Sequence, residues 1–171
     1  MPKMDVEGDL TKAEKRVGDI EKGIKTLAGM QKKKYAEFET LNNALYEGKD
    51  LIDENQKALK KEKDTKKIKE LAGEIEESEK TFKKMAVKRD AVHKELNEMG
   101  TTAGNLLRSL QEEEKGLGEL EKAIKRTGGE LKDLKAWDAT IKALQKAIKS
   151  STQTAQGLAD EPKNLPNLAK L

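Results

Sequence analysis

The chain contains no cysteine, which excludes disulfides, thiolate metal sites and cysteine nucleophiles. Aromatic residues are nearly as scarce: Trp137, Tyr35, Tyr46, Phe38 and Phe82 are all of them. Only 35% of the 171 residues are apolar, and no apolar run approaches the ~18–20 residues that cross a bilayer. The opening segment MPKMDVEGDLTKAEKRVGDI holds no apolar h-region, so no secretory leader is expected in it. Neither a P-loop nor a GxGxxG, HExxH or GxSxG signature is present. The expectation is a protein without catalytic residues, without a cofactor and without a metal.

Charge is what the chain has in quantity. Asp, Glu, Lys and Arg make up 39% of it, against ~25% in an average globular domain. The 35 cations face 32 anions, so the net charge of +3 describes a near-balanced polyampholyte and not a strongly basic nucleic-acid binder. So little apolar surface cannot form a thick spherical core. Disorder or long amphipathic helices remain, and periodicity decides for helices.

From Leu10 the apolar residues recur every seven positions, through Val17, Ile24, Phe38, Leu45, Ile52 and Leu59. Ala13, Ile20, Leu27 and Leu41 supply the companion position, and Gln31, Lys34 and Gly48 interrupt the seam. Steps alternating between three and four keep one helix face toward a partner, because seven residues nearly complete two turns. The repeat stops over KKEKDTKK and resumes in a shifted phase with Ile68, Ile75, Phe82, Leu96, Leu110, Leu117 and Ile124. Leu71, Met85, Val92, Met99, Leu106 and Leu120 accompany it. A phase jump across a polar segment is the mark of a helical hairpin. It predicts a turn at Lys60–Thr65 with Asp64 or Thr65 as N-cap. Gly48 followed by Asp50 is the competing turn.

A second break is expected at Met99–Gly104, where Gly100 suits a C′ position and Thr101 or Thr102 an N-cap, although the heptad phase does not jump there and a continuous or kinked helix is the alternative. Thr127-Gly128-Gly129 offers a further break, after which Leu134, Trp137, Ile141, Leu144 and Ile148 form a re-phased seam. The predicted fold is all-α: an elongated antiparallel coiled coil of three long helices over about 9–62, 65–99 and 101–158, roughly 80, 50 and 85 Å long. Residues 1–8 and 159–171 are expected as tails, the second extended because of Pro162 and Pro166. A short middle helix between two long ones leaves apolar stripe unpaired, so a homodimer is expected.

Several features carry candidate chemistry. His93, the only histidine, lies beside the seam with no partner for acid–base work. The acidic clusters Glu112-Glu113-Glu114 and Glu76-Glu77-Glu79 lack the loop geometry of a calcium site and read as solvated helix faces. Lysines are more informative. Lys57, Lys60, Lys61, Lys63, Lys66 and Lys67 would crowd the hairpin tip, with Lys32-Lys33-Lys34 and Lys83, Lys84, Lys88 and Arg89 forming further basic patches. Such lysines could hold an anionic membrane surface, or simply keep a polar turn soluble. Only four of the cations are arginine and stacking platforms are missing, which argues against nucleic acid. Trp137 and the tail leucines Leu165, Leu168 and Leu171 are candidate docking residues for a protein partner, with core packing and a frayed end as the plain alternatives.

The expected function is that of a non-enzymatic, self-associating coiled-coil scaffold or adaptor, cytoplasmic, acting through protein partners. The alternative is a peripheral membrane module. Three long helices with a staggered overlap and a basic tip are similar in kind to dimeric BAR-type membrane-shaping modules, a likeness of shape with no motif behind it.

Overall fold

In the computed structural model residues 5–165 are described. They form three helices, α1 Val6–Lys61, α2 Thr65–Thr127 and α3 Leu131–Asp160, followed by a 3₁₀ turn at Glu161–Asn164. Among the described residues there is no strand, and the fold is an all-α helical bundle.

Local chemistry sets the helix ends. Asp5 Oδ1 accepts the Gly8 N–H at 2.9 Å and so caps α1. Glu62, Lys63 and Asp64 form the predicted turn, and Asp64 is the cap of α2, its Oδ1 accepting the Lys66 N–H at 3.0 Å. Helix α2 ends at Thr127 because Gly128 takes φ +64°, the left-handed conformation of a C′ residue that glycine adopts without cost to a side chain. Glu130 precedes α3 in an extended conformation and offers no side-chain cap.

The helices build two compact units. Of the described residues the first comprises 5–31 together with 98–164. Here α1 and α2 run antiparallel, with Gly23 opposite Leu106 and Arg16 Nε 2.6 Å from Glu113 Oε1. Helix α3 folds back on α2 and so runs parallel to α1, whose Gln31 meets Leu158. The seams converge on one apolar interior, where Val17, Leu110, Leu117, Ile141 and Ile148 are essentially inaccessible. Burying each such side chain contributes about 1.5–3 kcal/mol before chain entropy is set against it.

Among the described residues the second unit, 32–97 with Leu165, is built from helices α1 and α2 alone. Their antiparallel register is fixed by Lys34 against Glu95, Phe38 against His93 and Gly48 against Phe82 and Met85. Phe38, Leu45, Ile75, Val92 and Leu96 are buried. The other seam members, among them Leu41, Ile52, Leu59, Ile68, Leu71 and Phe82, are half-buried. Two helices cover each other along one line only, so the flanks of the seam stay in water.

Three expectations require correction. The break at Met99–Gly104 does not exist: α2 runs through it unbroken. Its small residues serve packing instead. Ala103 is wholly buried, and a Cβ on Gly100 would stand 3.1 Å from Pro162 Cγ and 3.4 Å from the Ala159 carbonyl. The break falls at Gly128, which makes α2 the longest helix and α3 the shortest, reversing the expected order of lengths. The chain expected to run extended from residue 159 is instead helical to Asp160 and 3₁₀ over Glu161–Asn164, with Pro162 buried.

Candidate functional site

The turn between α1 and α2 is built around two carboxylates. Glu62 Oε1 accepts the N–H groups of Lys63 and Asp64, both at 3.1 Å, while Asp64 caps α2. The Asp64 N–H, helped by the Lys63 N–H and the Lys67 charge, holds the Glu62 carboxyl below its ordinary range. On this frame Lys57, Lys60, Lys61, Lys63, Lys66 and Lys67 are all exposed, as the sequence predicts. Segment 57–69 holds seven lysines and two acids. Among the described residues none of these lysines has a carboxylate within ion-pair distance.

Beyond the turn the charge inverts. Segment 70–79 has five glutamates and no cation, and segment 47–54 has four acids and one lysine. The helix register sets the two segments side by side, bordering an open groove of about 410 Å³ lined by Gly48, Leu51, Asn55, Glu74, Glu77 and Met85. Gly48 opens this groove, since its missing side chain leaves only Phe82 and Met85 nearby. Of the five glutamates only Glu76 is ion-paired among the described residues, with Lys80 at 3.4 Å.

The second basic patch divides. Lys83, Lys84 and Lys88 are exposed on α2. Arg89 is not available to an external anion. It occupies the seam position between Phe82 and Leu96, is 4% exposed, and among the described residues pairs only with Asp90, at 3.4 Å. Its Nε and Nη1 are buried without partners, as is Asn42 Oδ1 in the same unit. In the third patch Lys34 is engaged, 2.5 Å from Glu95 and 3.3 Å from Glu37, and these contacts raise its pKa.

The docking candidates are separate from these lysines in sequence. Trp137 is half-buried on α3, its ring 3.6 Å from where a Cβ on Gly129 would lie. Leu165 is half-buried, whereas Leu168 and Leu171 lie outside the described residues. His93 is half-buried beside Phe38, with ring centroids 6.1 Å apart, and its Nδ1 is 3.3 Å from Asn97 Nδ2. Glu113 is engaged by Arg16. Among the described residues no group of three or more histidines and carboxylates is placed to hold a metal ion. No helix among them is long and apolar enough to cross a membrane.

Two residues escaped the periodicity because they are polar in apolar positions. Gln31 and Arg89 each stand in seam register, one between Ile24 and Phe38 and the other between Phe82 and Leu96, and each is buried. The available signal was the interrupted heptad itself: a polar residue in a sustained apolar series is either at a gap in the packing or engaged inside it. No protein-family model, no curated protein and no solved structure matches this chain.

Proposed function

We propose that this protein is a non-enzymatic helical scaffold or adaptor that self-associates through coiled-coil contacts and acts by binding protein partners in the cytoplasm. The observation supporting this reading is that the apolar seam is covered differently in the two units. In the first unit α3 closes the groove between α1 and α2. Among the described residues no third helix does so in the second unit, where the seam members Ile52, Leu59, Ile68, Leu71 and Phe82 stay half-buried and Leu51 beside them is 49% exposed. A second chain is the economical way to cover such a surface, because oligomers of one chain bury the same patch twice. Sedimentation velocity across about 1–100 µM tests it. A concentration-dependent dimer is expected, and a folded monomer throughout that range would sink the reading.

A membrane role is the second reading, supported by the unpaired lysines at the α1–α2 turn. Lysine beside an anionic bilayer contributes about 1 kcal/mol per residue and less as salt rises. Salt-sensitive pelleting with phosphatidylserine vesicles but not with neutral ones would favour it.

A further inference from the structure

We infer that the lysine-bearing turn of one copy seats in the acidic groove of a second copy, reciprocally, so that two hairpin units pair tip over tip in antiparallel fashion. The inference rests on the self-association reading and names the surface through which it occurs.

Three observations carry it. First, the charges are complementary and unspent. Segment 57–69 has seven lysines with no ion pair among the described residues, while the glutamates at 70, 74, 77 and 79 are equally unpaired. Elsewhere in the chain the helices use such charges against each other, as Arg16 and Glu113 or Lys34 and Glu95 do. Second, the groove suits lysine. Leu51 and Met85 offer apolar surface for a four-carbon stem, and Glu74 and Glu77 stand at its rim for the ammonium head. Third, the two bands are adjacent along one hairpin. A twofold axis between them therefore brings each tip onto the other copy's groove at once, and both contacts form or neither does.

The charge pattern also limits the depth of overlap. Sliding the copies further together would carry the tip lysines past the glutamates to Lys83, Lys84 and Lys88. Like charges oppose that register, so the short overlap is selected.

The test uses two charge-reversed forms of the full chain. One carries Lys60→Glu, Lys61→Glu, Lys66→Glu and Lys67→Glu; the other carries Glu70→Lys, Glu74→Lys and Glu77→Lys, one helix face at i, i+4 and i+7. Each alone places like charge on like charge and should raise the dimer dissociation constant at least tenfold in sedimentation velocity. Their equimolar mixture restores both contacts in a heterodimer and should recover wild-type affinity. All positions are exposed, and circular dichroism checks that helicity is kept. Zero-length cross-linking between isotopically distinct wild-type copies should join tip lysines to Glu74 or Glu77. A wild-type dimer that both variants reproduce unchanged would overturn the inference and leave self-association standing. Weakened variants whose mixture does not recover would overturn it too. A wild-type monomer at about 100 µM would remove both. If that monomer pellets with anionic vesicles and the lysine-reversed form does not, the tip belongs to lipid and the inference fails.

Discussion

The Gln31 side chain donates a hydrogen bond from Nε2 to the Leu158 carbonyl at 2.8 Å, joining the middle of α1 to the last turn of α3 across 127 residues of sequence. Both groups lie in the first unit, and Gln31 is 1% exposed. The last carbonyls of a helix have no partner within it, and this one is supplied from the seam of another helix. The polar residue that interrupts the heptad is therefore the one that fastens α3.

Replacing Gln31 with Leu keeps its bulk and removes the donor. The Leu158 carbonyl is then buried without a partner, which costs about 1–3 kcal/mol. Urea unfolding should show that loss, and hydrogen exchange should speed up around residues 155–161 while the start of α3 is unaffected. A variant as stable as the parent would show that water replaces the bond without penalty.

Arg89 is the opposite case. Its guanidinium is buried in the seam with Nε and Nη1 unpartnered, so it carries the cost of desolvation with little return from Asp90. Replacing a poorly compensated buried charge by an apolar residue is often stabilising. Arg89→Leu should raise the unfolding free energy by about 1–2 kcal/mol, read from the urea midpoint at unchanged slope. A drop would mean that the guanidinium finds partners the static packing does not display.

Gly100 stands where the end of α3 and the 3₁₀ turn cross α2. A Cβ there would press on Pro162 Cγ at 3.1 Å. Gly100→Val adds branches that the contact cannot take, and overpacking of this kind costs about 1–3 kcal/mol. Thermal unfolding should show a lowered midpoint, with protection lost first over residues 159–164. Gly73→Ala is the contrast, since its Cβ meets nothing within 4 Å and should stabilise by about 0.5–1 kcal/mol.

The turn at Glu62 should respond to acid. The carboxyl sits below its ordinary value of 4.5 because its charged form accepts the Asp64 and Lys63 N–H groups. Its contribution is therefore fully present above that ordinary value and is lost as pH falls through the lower folded value. Nuclear magnetic resonance titration should find Glu62 below the ordinary glutamate value, with the Lys63 and Asp64 amides losing protection in the same acid window. Glu62→Gln should abolish that dependence.

Much of this architecture was legible in the sequence. The heptads from Leu10 to Leu59 and from Ile68 to Ile124 determined long amphipathic helices, because no other regular structure keeps residues seven apart on one face. The phase jump across KKEKDTKK located the first turn, since eight polar residues cannot line a seam. Exposure of the tip lysines followed from the same polarity.

What only tertiary structure decided was how the small and polar residues are used. Gly100 and Gly128 look alike in sequence. One admits Pro162 to the side of an unbroken helix, and the other takes a positive φ that ends one. Gln31 and Arg89 both interrupt the heptad, yet one meets a carbonyl and the other buries its Nε and Nη1 without a partner. A periodic pattern specifies which face of a helix turns inward. It does not specify what arrives to meet that face, because the neighbour is set by where the chain reverses and by which backbone groups are left unpaired there.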